Sequence, residues 1–291
     1  MFPDDGLTKL DVVEHYRRVG DRMLEFCGGR PLTLQRFPRG IDAKGFMQKN
    51  AVDHFPESIR RLPVPKRDGG ETQYPVVDRP EDLAYLANQN TVTFHMWTSS
   101  AARPGRPDWM VIDLDPEAGD RRGVREATGL IRTVLRSFDL EGFPVATGSK
   151  GFHVWVPLDG ELGFDDVGLT ARALAGLATI EAPDLVTTEF LKKNREGRVF
   201  VDWLRNGPIA TVVVPFSLRP RPGAPVAVPL RWEELAQSAP DRWHLRDLDD
   251  RFDLHPGVAP QRLPVESIVK AARSAGVDLD TPHDRFGREP G

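Results

Sequence analysis

Apolar residues recur every three or four positions from Leu10 to Phe26 (Val12, Val13, Tyr16, Val19, Met23, Phe26), the spacing of one buried helix face, and Thr8 stands where an N-cap belongs. A second stripe, Val124, Ala127, Leu130, Ile131, Val134 and Leu135, predicts a helix over Gly123 to Phe138, and a third is predicted over Phe164 to Ile180. Short runs rich in β-branched and aromatic residues predict strands at Val92 to Trp97, Trp109 to Leu114, Phe152 to Pro157, Arg198 to Asp202 and Ile209 to Phe216. The Pro- and Gly-rich stretches Ala102 to Pro107 and Pro220 to Pro229 read as connections, and no internal repeat interrupts the pattern. Helices and strands mixed in this way predict an α+β fold around a central sheet.

Composition narrows the picture. A chain of 291 residues that is 40% hydrophobic and 28% charged can fill one large core or two small ones, which excludes disorder of the whole. No run approaches the roughly 20 apolar residues that span a bilayer, and Asp4, Asp5 and Lys9 stand where a signal peptide would be apolar, so a cytoplasmic protein without membrane contact is expected. Cys27 is the only cysteine, which excludes an internal disulfide and a multi-cysteine zinc cage; it is expected to be a packing residue.

The net charge of −4 hides a polarity along the chain. From Arg30 to Arg67 nine basic residues face three acidic ones, a local excess of +6, whereas Glu233 to Asp253 holds seven acids and three arginines, an excess of −4. A basic front with an acidic back suits a polyanion held on one surface, because phosphate contacts depend on local charge. The same distribution also reads as a solvated charged face.

Candidate chemistry begins at Trp109-Met110-Val111-Ile112-Asp113-Leu114-Asp115-Pro116. Strand alternation puts Asp113 and Asp115 on one face with Val111, and Ile112 and Leu114 on the other. Two carboxylates in one patch repel unless a cation sits between them, and Mg2+ or Mn2+ prefers such oxygen ligands; by spacing alone the pair is equally a strand-end turn. Thr147-Gly148-Ser149-Lys150-Gly151-Phe152-His153 leads into an apolar run. Its glycines, hydroxyls and lysine can form a phosphate nest, or simply a turn, and His153 is either a ligand or a satisfied core histidine. Arg198 to Trp203 is a strand ending in Asp202, a natural third carboxylate for bridging two divalent ions during in-line phosphoryl transfer.

In this order the three segments resemble the archaeo-eukaryotic primase superfamily and, within it, the polymerase domain of bacterial ligase D and its stand-alone relatives. The resemblance runs over nearly the whole chain. It includes Thr33 to Gly40, Gly45-Phe46-Met47-Gln48-Lys49, Val111 to Pro116, Gly148 to His153, Gly197 to Asn206, and Ser217-Leu218-Arg219 ahead of Pro229-Leu230 and Trp232. It implies a primase-polymerase fold, with a mostly antiparallel central sheet, an RRM-like catalytic core and flanking helices. It also implies a single domain over 1–291, in which about 1–105 binds DNA and about 106–291 carries the three aspartates.

Residue roles follow from the same resemblance. Asp113, Asp115 and Asp202 match the family's catalytic carboxylates, which hold two ions, Mn2+ or Mg2+. Thr147 matches the hydroxyl residue near the incoming sugar, and Ser149, Lys150 and His153 match the phosphate-binding motif. Arg219 matches the triphosphate-binding arginine, and His95 a histidine at the nucleotide site. Phe46 and Met47 match the bulky pair that wedges against the template, with Lys49 beside them on the DNA. Lys9 matches a lysine that holds the 5′-phosphate across a gap.

Three departures shape the expectation further. Arg205 stands where relatives commonly have glutamine, and Thr93 where an acid is common. The N-terminal strand with a further phosphate-binding lysine, usual in ligase-fused relatives, lies outside this sequence, as does any ligase or phosphoesterase domain, which points to a stand-alone member. The expected activity is template-directed addition of NTPs or dNTPs to DNA with gaps, tails or breaks, favouring ribonucleotides, in a bacterial, nucleoid-associated repair enzyme. A Ku-associated end-joining polymerase working with a separate ligase is the near alternative. A metal-dependent nuclease and a catalytically degenerate DNA-binding module are the alternatives of other classes.

Overall fold

The computed structural model describes residues 1–281 except 67, 118, 249, 250 and 252–255. Four members of the charged segments (Arg67, Asp249, Asp250 and Asp253) and the last ten residues of the expected domain lie outside the described residues. In chain order the first elements are α1 (Lys9–Cys27), β1 (Leu32–Arg36), β2 (Phe46–Gln48), β3 (Arg60–Pro65), β4 (Glu71–Val76), α2 (Pro80–Asn88) and β5 (Thr91–Met96). Then come β6 (Trp109–Asp115), α3 (Arg121–Arg136), β7 (Phe143–Ala146), β8 (Phe152–Pro157), α4 (Phe164–Glu181), β9 (Val186–Thr187) and β10 (Val199–Asp202). The last are β11 (Val212–Val213), β12 (Val228–Pro229) and α5 (Val265–Ser274).

Two compact units share the chain. One comprises Met1–Gly105, Val145–Ser149 and Ile209–Pro256; the other comprises Arg106–Pro144, Lys150–Pro208 and Gly257–Gly291. In the first unit β1 lies between β2 and β5, all antiparallel, and β11 extends the sheet beyond β5. The β3–β4 ribbon stands as a separate pair. In the second unit β8, β6, β10 and β9 are neighbours in that order, with only β9–β10 parallel.

The helices form for the reasons their patterns give. Thr8 and Asp11 exchange reciprocal bonds at the start of α1, Thr8 N–H donating to Asp11 Oδ2 at 2.6 Å and Asp11 N–H to Thr8 Oγ1 at 3.3 Å. The face Val12, Val13, Tyr16, Val19, Met23, Phe26 is buried, together with Cys27, whose thiol burial pushes up to about 12, consistent with a packing role. Tyr16 ties α1 to later segments of its unit. Its hydroxyl donates to Val92 O at 2.6 Å and accepts from Leu218 N at 2.9 Å. Beside it, the buried His15 Nε2 donates to Phe216 O at 2.9 Å.

The predicted strand from Ile209 to Phe216 is only Val212–Val213, because Ile209 (φ 56°) and Phe216 (φ 69°) lie in the left-handed region and end the extended run on both sides. The Pro220 to Pro229 connection ends in a strand, β12, which pairs Val228 with Ala146 and Pro229 with Val145. The described residues form three sheets, mostly antiparallel, among the helices, in keeping with the expected α+β fold. No described helix is long and apolar enough to cross a membrane.

Candidate active site

Register builds the centre of the second unit. On β6, Asp113 lies directly opposite His153 of β8 on one side and Asp202 of β10 on the other, and Asp115 lies opposite Phe200. The alternation read from the sequence holds: Asp113 and Asp115 are partly accessible while Met110, Ile112 and Leu114 are buried. Like charges directly opposite on neighbouring strands destabilise a sheet, so Asp113 and Asp202 need a compensating cation.

Arg205 supplies one. Asp202 Oδ1 accepts from Leu204 N–H at 2.9 Å, which starts a single 3-10 turn (Leu204–Asn206) that folds the chain back toward β6. The Arg205 Nε then lies 3.1 Å from Asp113 Oδ2 and 3.1 Å from Asp202 Oδ2. The next residue, Asn206, is fully buried: its Oδ1 accepts from Val111 N–H at 2.8 Å and its Nδ2 donates to Val111 O at 2.7 Å and Trp203 O at 2.8 Å. One side-chain amide thus satisfies both backbone groups of Val111 just beyond the end of β10.

Charge is unevenly settled among the three carboxylates. Burial alone would push Asp113 up, but His153, with Nε2 3.5 Å from Oδ1, and then Arg205 hold it well below the usual carboxylate range. Asp202 is raised, chiefly by burial, with Arg205 offsetting part of that and the charge of Asp113 adding to it. Asp115 is raised by burial and by Asp113, against the pull of Arg195, Lys150 and Lys192. The buried Arg195 reaches Asp115 at 3.9 Å from a position 4.0 Å over the Phe200 ring. Burial thus disfavours the charged form of two of the three carboxylates, a cost that a bound cation would offset, and their oxygens are the donors that Mg2+ or Mn2+ takes. Among the described residues, however, no three metal-ligating side chains converge as a ready-made ion cage.

The phosphate-motif residues divide between the units. Lys150 is exposed and His153 buried in the second unit; Thr147 is buried and Ser149 half-buried in the first. The two glycines have different reasons. Gly148 adopts φ 66°, and a Cβ there would stand 2.8 Å from Arg219 Cγ, so the motif backbone runs directly against the expected triphosphate arginine. Gly151 is required for strand approach: a Cβ would lie 1.9 Å from Leu114 O on β6. The Ser217–Arg219 segment is anchored by Ser217 Oγ accepting from Phe94 N–H at 2.8 Å and Leu218 O accepting from Thr93 Oγ1 at 2.7 Å. That anchoring ties it to the two β5 residues that precede His95.

The expected DNA contacts lie elsewhere in the first unit. Phe46 and Met47 are exposed on the edge strand β2, with Lys49 just beyond it. Lys9 donates to Asn88 O at 3.1 Å and lines an 870 Å3 cleft between α1 and α2, together with Arg17 and Tyr85. Sequence reasoning did not find Arg195 or Asn206, and saw Arg205 only as a departure. The signal for the latter pair was the Asp202-x-x-Arg205-Asn206 spacing, which an aspartate-initiated turn converts into a return to β6.

The model of the LigD primase-polymerase domain matches residues 8–258. The multifunctional non-homologous end joining protein LigD of Mycolicibacterium smegmatis is 33% identical over 258 residues, covering 87% of this chain and 34% of that protein. LigD of Pseudomonas aeruginosa is 35% identical over 253 residues, covering 86% and 30%. The chain spans about a third of the length of these curated relatives. The solved polymerase domain from Mycobacterium tuberculosis ligase D, in complex with DNA, matches at a TM-score of 0.75 and 30% identity, covering 97% of this chain and 96% of that one. With the carboxylate row in the register described above, the chain belongs to the LigD primase-polymerase family, a family of metal-dependent, DNA-directed nucleotidyltransferases.

Proposed function

We propose that this chain extends DNA at short gaps or broken ends by template-directed nucleotidyl transfer, with Asp113, Asp115 and Asp202 holding two divalent ions, Mn2+ or Mg2+. The observation that carries the reading is the row His153, Asp113, Asp202 laid across three neighbouring strands, with Asp115 one step along the same face. Ions bound there supply activation of the attacking hydroxyl and stabilisation of the leaving pyrophosphate. The protein's own side chains do the rest. By the family's pattern Lys150 and His153 of the second unit and Ser149 and Arg219 of the first are assigned to phosphate binding, Thr147 and His95 to the nucleotide, and Lys9, Phe46, Met47 and Lys49 to the DNA. Ku and a ligase act before and after this step in the cell's end-joining repair.

The sugar pocket selects ribonucleotides. Thr147 offers a hydroxyl that exchanges hydrogen bonds with a 2′-OH, an interaction deoxyribose cannot make, and one such bond contributes about 0.5–1.5 kcal/mol, which corresponds to roughly 2- to 13-fold discrimination.

Primer extension on matched gapped, tailed and blunt DNAs, with each metal and with ATP against dATP, tests the reading. Replacing Asp113, Asp115 and Asp202 together by Ala is expected to abolish extension and leave DNA binding nearly intact. Extension near the wild-type level in that triple variant overturns the metal assignment, and a preference for dATP above about tenfold overturns the sugar assignment.

A further inference from the structure

The oxygens with which Asp113 and Asp202 face each other are both engaged by one guanidinium. Asp113 turns Oδ1 to His153 and Oδ2 to Arg205; Asp202 gives Oδ1 to the Leu204 amide and Oδ2 to Arg205. Arg205 Nε thus stands 3.1 Å from each carboxylate, between the two groups that an ion bridging them would have to bind. Its backbone is fixed on both sides, by the Leu204 bond to Asp202 and by the Asn206 clamp on Val111, whereas its side chain is 42% exposed and so has a route into solvent. The guanidinium can leave without the turn moving.

We propose that Arg205 is the resident counter-ion of the Asp113–Asp202 pair, which it holds assembled until a divalent ion displaces it, so that it sets the ion's affinity by competition. This rests on the active-site reading above. Arginine suits the role because its charge persists at any physiological pH. Two opposed carboxylates with no cation between them repel, so the pair stays in register before the ion arrives only if something else carries positive charge there. An ion that takes both carboxylates must first break two charge-assisted contacts, and this cost appears as weaker binding. Glutamine at this position would leave the oxygens free. Arg205 acts through the metal ligands and is therefore a positioning residue, specific to chains that carry arginine here.

The test is a Mn2+ titration of the whole chain without DNA or nucleotide, following the electron paramagnetic resonance signal of free Mn2+. It is run on wild type, Arg205→Gln, Arg205→Lys and Asp113→Asn, with thermal unfolding of each measured in EDTA and in Mn2+. Arg205→Gln is expected to bind Mn2+ about tenfold more tightly than wild type, within the usual range of coupling between two sites. Arg205→Lys is expected to fall between them, and Asp113→Asn to lose the site. In EDTA the glutamine variant is expected to melt below wild type and to recover more than wild type when Mn2+ is added. Unchanged or weaker binding in Arg205→Gln, with the Asp113 dependence intact, overturns the competition while leaving the metal site standing. Loss of any Asp113-dependent binding in wild type and Arg205→Gln alike overturns the active-site reading and this inference with it.

Discussion

Asn206→Ala isolates a side chain that substitutes for a strand. Beyond the end of β10, Val111 has no backbone neighbour on that side of β6, and the Asn206 amide fills both of its hydrogen-bonding positions. Truncation to alanine removes three bonds, but Trp203 O keeps the Asn206 backbone N–H at 3.2 Å, so two groups are orphaned, both belonging to fully buried Val111. At about 1–3 kcal/mol for each buried unsatisfied group, the expected loss is roughly 2–6 kcal/mol, a large share of a typical domain's stability of about 5–15 kcal/mol. Equilibrium unfolding in urea measures the loss, and amide exchange of Val111 locates it. Asn206→Leu separates hydrogen bonding from packing, since it refills the space and still orphans Val111. A loss below about 1 kcal/mol in the alanine variant, or full recovery in the leucine variant, refutes the reasoning.

Gly151→Ala drives a Cβ into the Leu114 carbonyl, a backbone atom of β6 held by its pairing with β8, so it is expected to destabilise the second unit by about 3 kcal/mol or more. Gly105→Ala, where nothing lies within 4 Å, is the matched control in the same denaturation assay. His15 titrates near 4 because burial disfavours its charged form, whereas an unfolded histidine titrates near 6.5. The unfolded chain therefore binds more protons between those values, and this contribution is complete above about pH 6.5 and lost as pH falls toward 4. At about 1.36 kcal/mol per unit, wild type is expected to lose about 2.5 kcal/mol more than His15→Gln between pH 7.5 and 4.5, and parallel curves would remove His15 from the account. Lys9→Ala is expected to erase any preference for a 5′-phosphorylated gap in a binding competition, and an unchanged ratio between phosphorylated and unphosphorylated substrates excludes it from that site.

Long amphipathic helices were legible because their stripes extend over several turns: α1, α3 and α4 begin and end within two residues of the pattern. The nine residues of α2 carry too few turns for a stripe, although Pro80 at its start with Glu81 and Asp82 behind it is a start signal in its own right. Two prolines in β3, Pro63 and Pro65, argue against a strand; in a two-stranded ribbon they are tolerated, because residues two apart turn their missing N–H groups to the same free edge. Positive φ at Ile209 and Phe216 is dictated by surroundings that local sequence does not encode. In the site, period-two alternation sufficed to place Asp113 beside Asp115. The pairing of Asp202 with Asp113 needed register, and the reach of Arg205 and Asn206 needed the shape of a turn.

The hydroxyl of Tyr16 carries an implication for synthesis. Helix α1 is among the first segments to leave the ribosome, yet the amide that its phenol accepts from, Leu218 N–H, lies 202 residues downstream. At about 5–20 residues per second that partner arrives roughly 10–40 s later. Within that interval the nascent helix can bury its apolar face against α2 and its phenol can donate to Val92 O, but the amide the hydroxyl accepts from, and with it completion of the unit, waits for the segment from Ile209 onward. Release of the chain before that point would strand an incomplete N-terminal half, a natural substrate for chaperones and proteases.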